Sequence, residues 1–509
     1  MSSLLLRQTL GSACPCCLAT APALERAPAA RKRFVMPPSG RLRLERGTIV
    51  DPREGRLIPD ATVVVDRGRI VAVEPAGATA SDRSGERIDA SGKFVVPGFN
   101  DMHTHVLELA GPAGALALML CEGVTGFRQM SGSPRMLEER RSQTLPVGKL
   151  APAALELPGS LLTPFNASSE GGVAAEIATQ RAQGADFVKA GLMSGSVFRA
   201  ALVAARKTGI PLLGHLQDGV DAAEASDLGF RSIEHLGPGS TIWIGCSTAE
   251  AELRHELVGL PRLRVPPFRI PFLEQLVMWR LQTLLINPAA FMSAEYVARM
   301  QRAFDTYDDA KCRALAARFA ANGTWHVPTL VRLRTQELAG APEYEKSPYL
   351  RHMSEKSIRQ WRRVTKRFTA LPPEARRTFA SAYPRQLALA RTLADAGVRM
   401  LTGCDGGTLS QPGLTLQEEF AELAAAGLSP LQVLRMTTLH PAEYLGRTAT
   451  MGTVEPGRDA DLVLLDANPL ESVANLGRIA GVVRAGFHYA RPELDALRER
   501  VAQGRGSLH

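Results

Sequence analysis

The stretch FVVPGFNDMHTHV, residues 94–106, decides how the rest of the chain is read. It is a short apolar run that closes on His103-Thr104-His105. Side chains alternate along a strand, so both imidazoles leave the same face. Two ring nitrogens a few ångströms apart can chelate one transition metal. Seven more apolar runs follow, at 124–130, 150–157, 186–192, 211–216, 230–236, 324–333 and 398–407. The gaps hold stretches such as VAAEIATQRAQGA and VFRAALVAARKTG, whose apolar residues recur at helical spacing. Alternating strand and helix periods predict an α/β fold, and eight such units are what a (β/α)8 TIM barrel requires. A doubly wound open sheet would more usually carry a Gly-rich phosphate turn after its first strand, and none is present. Two gaps, about 240–322 and 334–396, are too long for a single helix. They are expected as helical insertions on the rim where barrel active sites sit.

Outside this region the pattern changes. Residues 42–77 alternate short β-branched runs with Asp-Pro, Pro-Asp and Arg-Gly turns, and GTVEPGRDADLVLLDANPL with IAGVVRAGFHYA repeats that texture near the other end. Neither segment has enough strands for a core of its own, so the two are expected to pair as one discontinuous β-sandwich domain. The expected organisation is a disordered leader at 1–41 and the first sandwich half at 42–92. The barrel follows at 93–450, then the second sandwich half at 451–490 and a tail at 491–509.

The 509 residues are 45% hydrophobic and 22% charged, which excludes wholesale disorder and a fibrous class. No uninterrupted apolar run reaches the ~18–20 residues of a membrane-spanning helix, so a soluble protein without a membrane partner is expected. The net charge of +9 is local: residues 1–46 carry +6 and residues 351–377 carry +7. No nucleic-acid-binding module accompanies that charge, so no nucleic-acid partner is expected. Cys121, Cys246, Cys312 and Cys404 are scattered like the thiols of a reducing compartment, and Cys14, Cys16 and Cys17 lack a second ligand pair. Arg7 interrupts the apolar part of the N-terminal segment, so a cytoplasmic protein is expected, with export through Ala19-Thr20-Ala21 left open.

Six residues of ligand type fall at or near the ends of the expected strands: His103, His105, Lys189, His215, His235 and Asp405. Together with GTIVDP, GRIVAVEP, DFVKA, SIEHL, TGCDGG and GTVEPGRDADLVLLDANPL, these motifs make the chain resemble the amidohydrolase superfamily. The nearest group is the imidazolonepropionase-like and prolidase-like metal-dependent hydrolases, and the likeness runs over roughly 42–490. The resemblance implies that His103, His105 and Asp405 hold one divalent metal, most simply zinc, and that His215 and His235 hold a second. Lys189 would bridge the two as an N-carboxylated lysine. An ammonium beside two cations is disfavoured, whereas a neutral amine that takes up CO2 offers both metals an oxygen.

The implied activity is hydrolysis of an amide or other C–N bond through a metal-bridging hydroxide, with Asp405 as the catalytic proton carrier. The substrate would be a small molecule or short peptide: an N-acyl amino acid, a dipeptide or a cyclic amide. A lactonase or esterase on the same binuclear site is one alternative and a mononuclear deaminase another; a non-catalytic relative would lack the ligands. A homo-oligomer is left open. His326 reads as a core histidine or, failing Asp405, the next base. Cys404 reads as a packed thiol, Asp218 as a helix cap and His440 as a helix start. In RHMSEKSIRQWRRVTKRF, Trp361, Val364 and Phe368 recur at helical spacing under a basic face, which is either solvated surface or a lid for anionic substrates.

Overall fold

The computed structural model describes residues 33–77, 84–109, 111–217, 219–237, 239–258, 286–406 and 415–504. The expectations for residues 1–32, Asp218, the middle of the 240–322 insertion and residues 505–509 lie outside the described residues. Among those described, no helix is long and apolar enough to cross a membrane.

The chain opens with β1 (Leu42–Asp51), β2 (Arg56–Asp66), β3 (Arg69–Glu74), β4 (Glu86–Asp89) and β5 (Phe94–Pro97). Seven short strands follow: β6 (Phe99–Thr104), β7 (Val124–Gln129), β8 (Ala153–Glu156), β9 (Val188–Ala190), β10 (Leu212–Gly214), β11 (Ser232–Glu234) and β12 (Trp325–Val327). The last strands are β13 (Leu462–Leu465), β14 (Ile479–Arg484) and β15 (Phe487–Ala490).

The two flanks meet in one sheet of order β15-β14-β13-β5-β1-β2-β3, with β4 also beside β1. β5 is its hinge strand, parallel to β1 on one side and antiparallel to β13 on the other. Val95 and Val96 of β5 leave opposite faces, as the strand period demands. Val95 packs in a core of its own with residues such as Leu44, Val63 and Leu464, whereas Val96 joins Phe99 and Leu120 in the main core. The single run expected at 94–106 is therefore two strands. Gly98 N–H still bonds Asp461 O of the flanking sheet, and Phe99 N–H already bonds Gly123 O beside β7. A Cβ at Gly98 would lie 2.0 Å from Thr125 Oγ1, so the switch admits no side chain.

The remaining strands are parallel. β6-β7-β8 form one group and β9-β10-β11-β12 another. Isolated parallel bridges Pro158↔Phe187 and Leu162↔Ala190 join the chain beyond β8 to β9. Beyond β12, His326 bridges Met400, and the segment 398–405 returns to β6 through Met102 N–H to Thr402 O and Asp405 N–H to His103 O, both 2.8 Å. The expected strand at 398–407 is thus carried by a bridge and backbone bonds rather than a regular ladder. The expected strand at 324–333 stops at Val327. Pro328 has no N–H to continue the ladder, and Thr329 turns the backbone left-handed (φ 46°) into a helix. Met102, Phe187, Leu213, Trp325, Val327 and Leu401 pack as an inner apolar layer among the parallel strands.

Helices cover the outside: α1 (Pro112–Cys121), α2 (Pro134–Arg141), α3 (Glu170–Ala182), α4 (Gly195–Thr208) and α5 (Ala222–Asp227). The 240–322 insertion holds α6 (Thr241–Gly245), α7 (Glu250–Val258), α8 (Ala294–Asp305) and α9 (Asp309–Asn322). After β12 come α10 (Leu330–Glu337), α11 (Glu355–Thr369) and α12 (Pro373–Asp395). The C-terminal part adds α13 (Leu416–Ala425), α14 (Pro430–Thr437), α15 (Leu439–Tyr444) and α16 (Arg491–Ala502). Ser169, Ser194 and Asp221 cap α3, α4 and α5 by accepting backbone N–H bonds, so each helix starts where the sequence offers a short polar side chain.

Candidate metal centre

Three of the six candidate residues converge closely. One ring nitrogen each of His103 and His235 and one oxygen of Asp405 lie within 4.8 Å of one another, all buried. Asp405 Oδ1 is 3.6 Å from His103 Nε2 and 3.5 Å from His105 Nε2, and Oδ2 is 4.0 Å from His235 Nε2. The His215 ring stands 5.2 Å from that of His235, centroid to centroid. Lys189 is 1% exposed and sits on β9 opposite Leu213, two residues from His215 on the neighbouring strand. All six candidates are buried at one end of the parallel strands.

The imidazoles are held from behind. His103 Nδ1 donates to Glu234 Oε2 at 2.6 Å, His105 Nδ1 pairs with Ser131 Oγ at 2.5 Å, and His235 Nδ1 pairs with Thr329 Oγ1 at 2.6 Å. With Nδ1 engaged, each ring turns Nε2 toward Asp405. A ligating histidine is oriented in this way, its second nitrogen fixed by an outer partner. His103 Nε2 is buried and makes no hydrogen bond among the described residues. Imidazole nitrogens and a carboxylate oxygen suit a divalent ion of zinc type, and the burial of every group sets this cluster apart from acids that merely gather on a surface.

Two ligand candidates sit where the strand pattern ends. His235 and Asp405 have φ of 56° and 48°, the left-handed region that costs a non-glycine residue of order 1 kcal/mol or more. That turn brings the His235 ring to the side its neighbour Glu234 already faces. Glu234 is fully buried and anchors the assembly: Arg128 Nη2 donates to Oε1 at 2.9 Å and Ser232 Oγ at 2.6 Å. Burial pushes the Glu234 carboxyl up, but the charges of Arg128 and His103 outweigh it and hold it well below the ordinary carboxylate range. Arg128 itself donates to Met102 O and Tyr444 Oη. Asp101 Oδ1 accepts from the backbone N–H groups of His103 and Cys404, tying β6 to the 398–405 segment, and burial pushes this carboxyl up to about 6.

Sequence reasoning missed Glu234, Asp101, Arg128 and Arg332. The last lies in the first turn of α10, 4% exposed, with Nε 3.4 Å from Asp405 Oδ2. Asp101 carried a usable signal, as a carboxylate two residues ahead of His103. His326 does not line the centre. Trp325 and Val327 face the inner layer, and His326 points the other way against Phe319 of α9, at 4.9 Å. Burial lowers its ring to about 3, which makes it a neutral core histidine. Cys404 is fully buried, with its thiol pushed well up by burial. His440 Nδ1 pairs with Met400 O behind the strands. On α11, Trp361, Val364 and Phe368 are buried as their spacing predicts. Arg359 and Arg362 of its basic face pair with Glu355 and Glu345, and Arg367 donates to Ala290 O.

An α/β protein with imidazoles and a carboxylate gathered at the ends of parallel strands is the class that fold and site define. Comparison with known proteins carries this further. The amidohydrolase family model matches residues 360–487. A dihydroorotase of Pelotomaculum thermopropionicum is 43% identical over 68 residues, 13% of this chain and 15% of that protein. An imidazolonepropionase of Rhizobium rhizogenes is 32% identical over 110 residues, 21% of this chain and 26% of that protein. These alignments thus span under a third of either relative. Among solved structures, a bottromycin amidohydrolase superposes with a TM-score of 0.65 at 21% identity, over 91% of this chain and 90% of that one, a likeness of fold. Residues 360–487 are thus similar to the amidohydrolase family, and the chain as a whole shares the fold of a solved amidohydrolase.

Proposed function

We propose that the protein is a metal-dependent hydrolase of an amide or other C–N bond, acting on an N-acyl amino acid, a dipeptide or a cyclic amide. The observation that carries this reading is the set of imidazole Nε2 atoms turned toward Asp405 while each Nδ1 is fixed by an outer partner. The eight parallel segments are read as a closed (β/α)8 barrel, and the mixed flanking sheet as its second, discontinuous domain. His103, His105 and Asp405 would hold one divalent ion and His215 with His235 a second, zinc being the first choice, with Lys189 as an N-carboxylated bridge. Bound ions there would supply Lewis acidity and bring a water molecule's pKa toward neutrality.

The chain's own groups do the rest. Asp405, at the meeting point of three imidazoles, is placed to take a proton from the attacking water and hand it to the leaving nitrogen. Glu234 and Arg128 keep the His103 ring in one orientation. The buried setting strengthens each of these contacts relative to water.

The test is metal analysis and turnover on one preparation made without chelators. Stoichiometric metal and hydrolysis within a panel of acylated amino acids, dipeptides and cyclic amides are expected. His103→Ala should lose both, and Lys189→Ala should lose turnover and regain part of it with acetate or propionate standing in for the bridge. Metal-free protein, or a His103→Ala variant with full metal and full turnover, would overturn the reading.

A further inference from the structure

We infer that the protein carries a second ligand site, at the other end of the parallel strands from the candidate metal centre, which takes a free α-amino acid with an apolar side chain. A cavity of about 700 Å³ lies there, walled by the C-terminal turn of α4, the start of β10 and the loop between α5 and β11. That volume falls in the range of small-molecule sites. Leu212 opens β10 and Arg231 immediately precedes β11, and both line the cavity. His215 and His235 follow the ends of the same two strands. At ~3.3 Å per residue, the cavity and the histidines stand about 10–13 Å apart along the strands.

Two groups of opposite charge line this cavity with bonding capacity left over. Glu156, the last residue of β8, keeps its Oε2 buried and without a hydrogen bond among the described residues. Burial pushes the carboxyl up to about 7, against the pull of the Arg128 and Arg231 charges. A buried oxygen left without a donor is costly, so an N–H that arrives with a ligand is favoured. Arg231 is half-buried and fixed in place: its guanidinium carbon stands 4.9 Å from the centre of the Tyr444 ring, and Nη2 donates to Tyr444 O at 3.1 Å. Among the described residues no carboxylate pairs with it. A planar carboxylate is the group a held guanidinium recognises best. The other acid of the lining, Asp227, is engaged by Arg318 and Asn322. Leu202, Ile210 and Leu228 give the cavity an apolar wall. A ligand that answers all three features brings an ammonium for Glu156, a carboxylate for Arg231 and an apolar side chain, with no net charge. An α-amino acid is the smallest molecule of that kind.

The experiment is calorimetry on the full chain with L-leucine, N-acetyl-L-leucine and L-leucinamide, before and after treatment with a metal chelator. L-leucine should bind equally in both states. N-acetyl-L-leucine lacks the ammonium and L-leucinamide the carboxylate, so each should bind about 10- to 100-fold more weakly, the span of a charge-assisted hydrogen bond. Glu156→Gln and Arg231→Met should each weaken L-leucine by a similar factor, with the metal content of wild type. The analogues are compared on wild type, so the decision does not depend on either variant folding. The site is overturned if L-leucine fails to bind at millimolar concentration, or if either analogue binds as well as L-leucine. Folded variants that keep full affinity would overturn it too, as would binding that disappears with the metal, which would move the ligand to the histidines. Binding of L-leucine by a protein that cleaves no C–N bond would leave this site standing and sink the hydrolysis alone.

Discussion

Glu234 shows what a single buried carboxylate does for this site. One oxygen fixes His103 and the other neutralises Arg128, so the group serves the centre and the interior of the strand assembly together. Glu234→Gln must turn an amide N–H₂ either toward His103 or toward Arg128 and Ser232. Metal affinity should fall by about 10- to 100-fold, measured by competition with a chromophoric chelator. Unchanged affinity would mean that His103 is oriented by packing alone. Because its folded pKa lies below the ordinary 4.5, the stabilisation from Glu234 is complete above that pH and is lost as acid protonates it.

Glu419 works with the opposite sign. It is fully buried, and burial pushes it up to about 8 although it accepts backbone N–H bonds at the start of α10. The folded state therefore holds the proton, and stability falls as pH rises from about 4.5 toward 8. Glu419→Gln keeps an acceptor for Val331 N–H and carries no charge. Its melting temperature should drop less than that of wild type between pH 5 and pH 8, in proportion to this shift. Parallel pH profiles for the two proteins would show that Glu419 is ionised in the fold.

At the scale of elements, the boundary between β5 and β6 is the most demanding point. Gly98→Ala would drive a methyl group into Thr125, with Cγ2 at 2.7 Å and Cβ at 2.8 Å as well as Oγ1. Overpacking of this kind costs about 1–3 kcal/mol, more where backbone must move. A clear fall in the denaturation midpoint is expected, with partial recovery in Gly98→Ala/Thr125→Ala; a lone Gly98→Ala as stable as wild type would refute the tight crossing. The sequence showed well the strand ends that carry the candidate ligands, because period-two alternation and apolar runs are local signals. It did not show Glu234 beside His235, since alternation sends neighbours to opposite faces and only a left-handed backbone at His235 brings both to one side. Nor did it show Arg332, which depends on Pro328 and Thr329 ending β12 early and starting α10 where a strand was expected. The split at Gly98 was hidden for the same reason: an unbroken apolar run does not reveal a change of partner.

For the whole molecule, the site ties distant parts of the chain together, from His103 to Asp405, so an ion bound there should stabilise all of it. Stripping with dipicolinate should lower the melting temperature, and zinc should restore it in a concentration-dependent way, because a ligand of the folded state shifts unfolding by mass action. A melting temperature indifferent to both would argue that no ion belongs there. The mixed sheet has a further consequence, in the order of synthesis. β5 finds its partner β13 about 370 residues later, and until then one edge of β5 has no neighbour. At about 5–20 residues per second the ribosome leaves that edge waiting for tens of seconds, a window in which an unpaired strand can recruit another chain. Stalled nascent chains ending near residue 450 should therefore be captured by a holdase chaperone and cut by protease within residues 86–97. Chains long enough to expose β15 outside the ribosome should resist both.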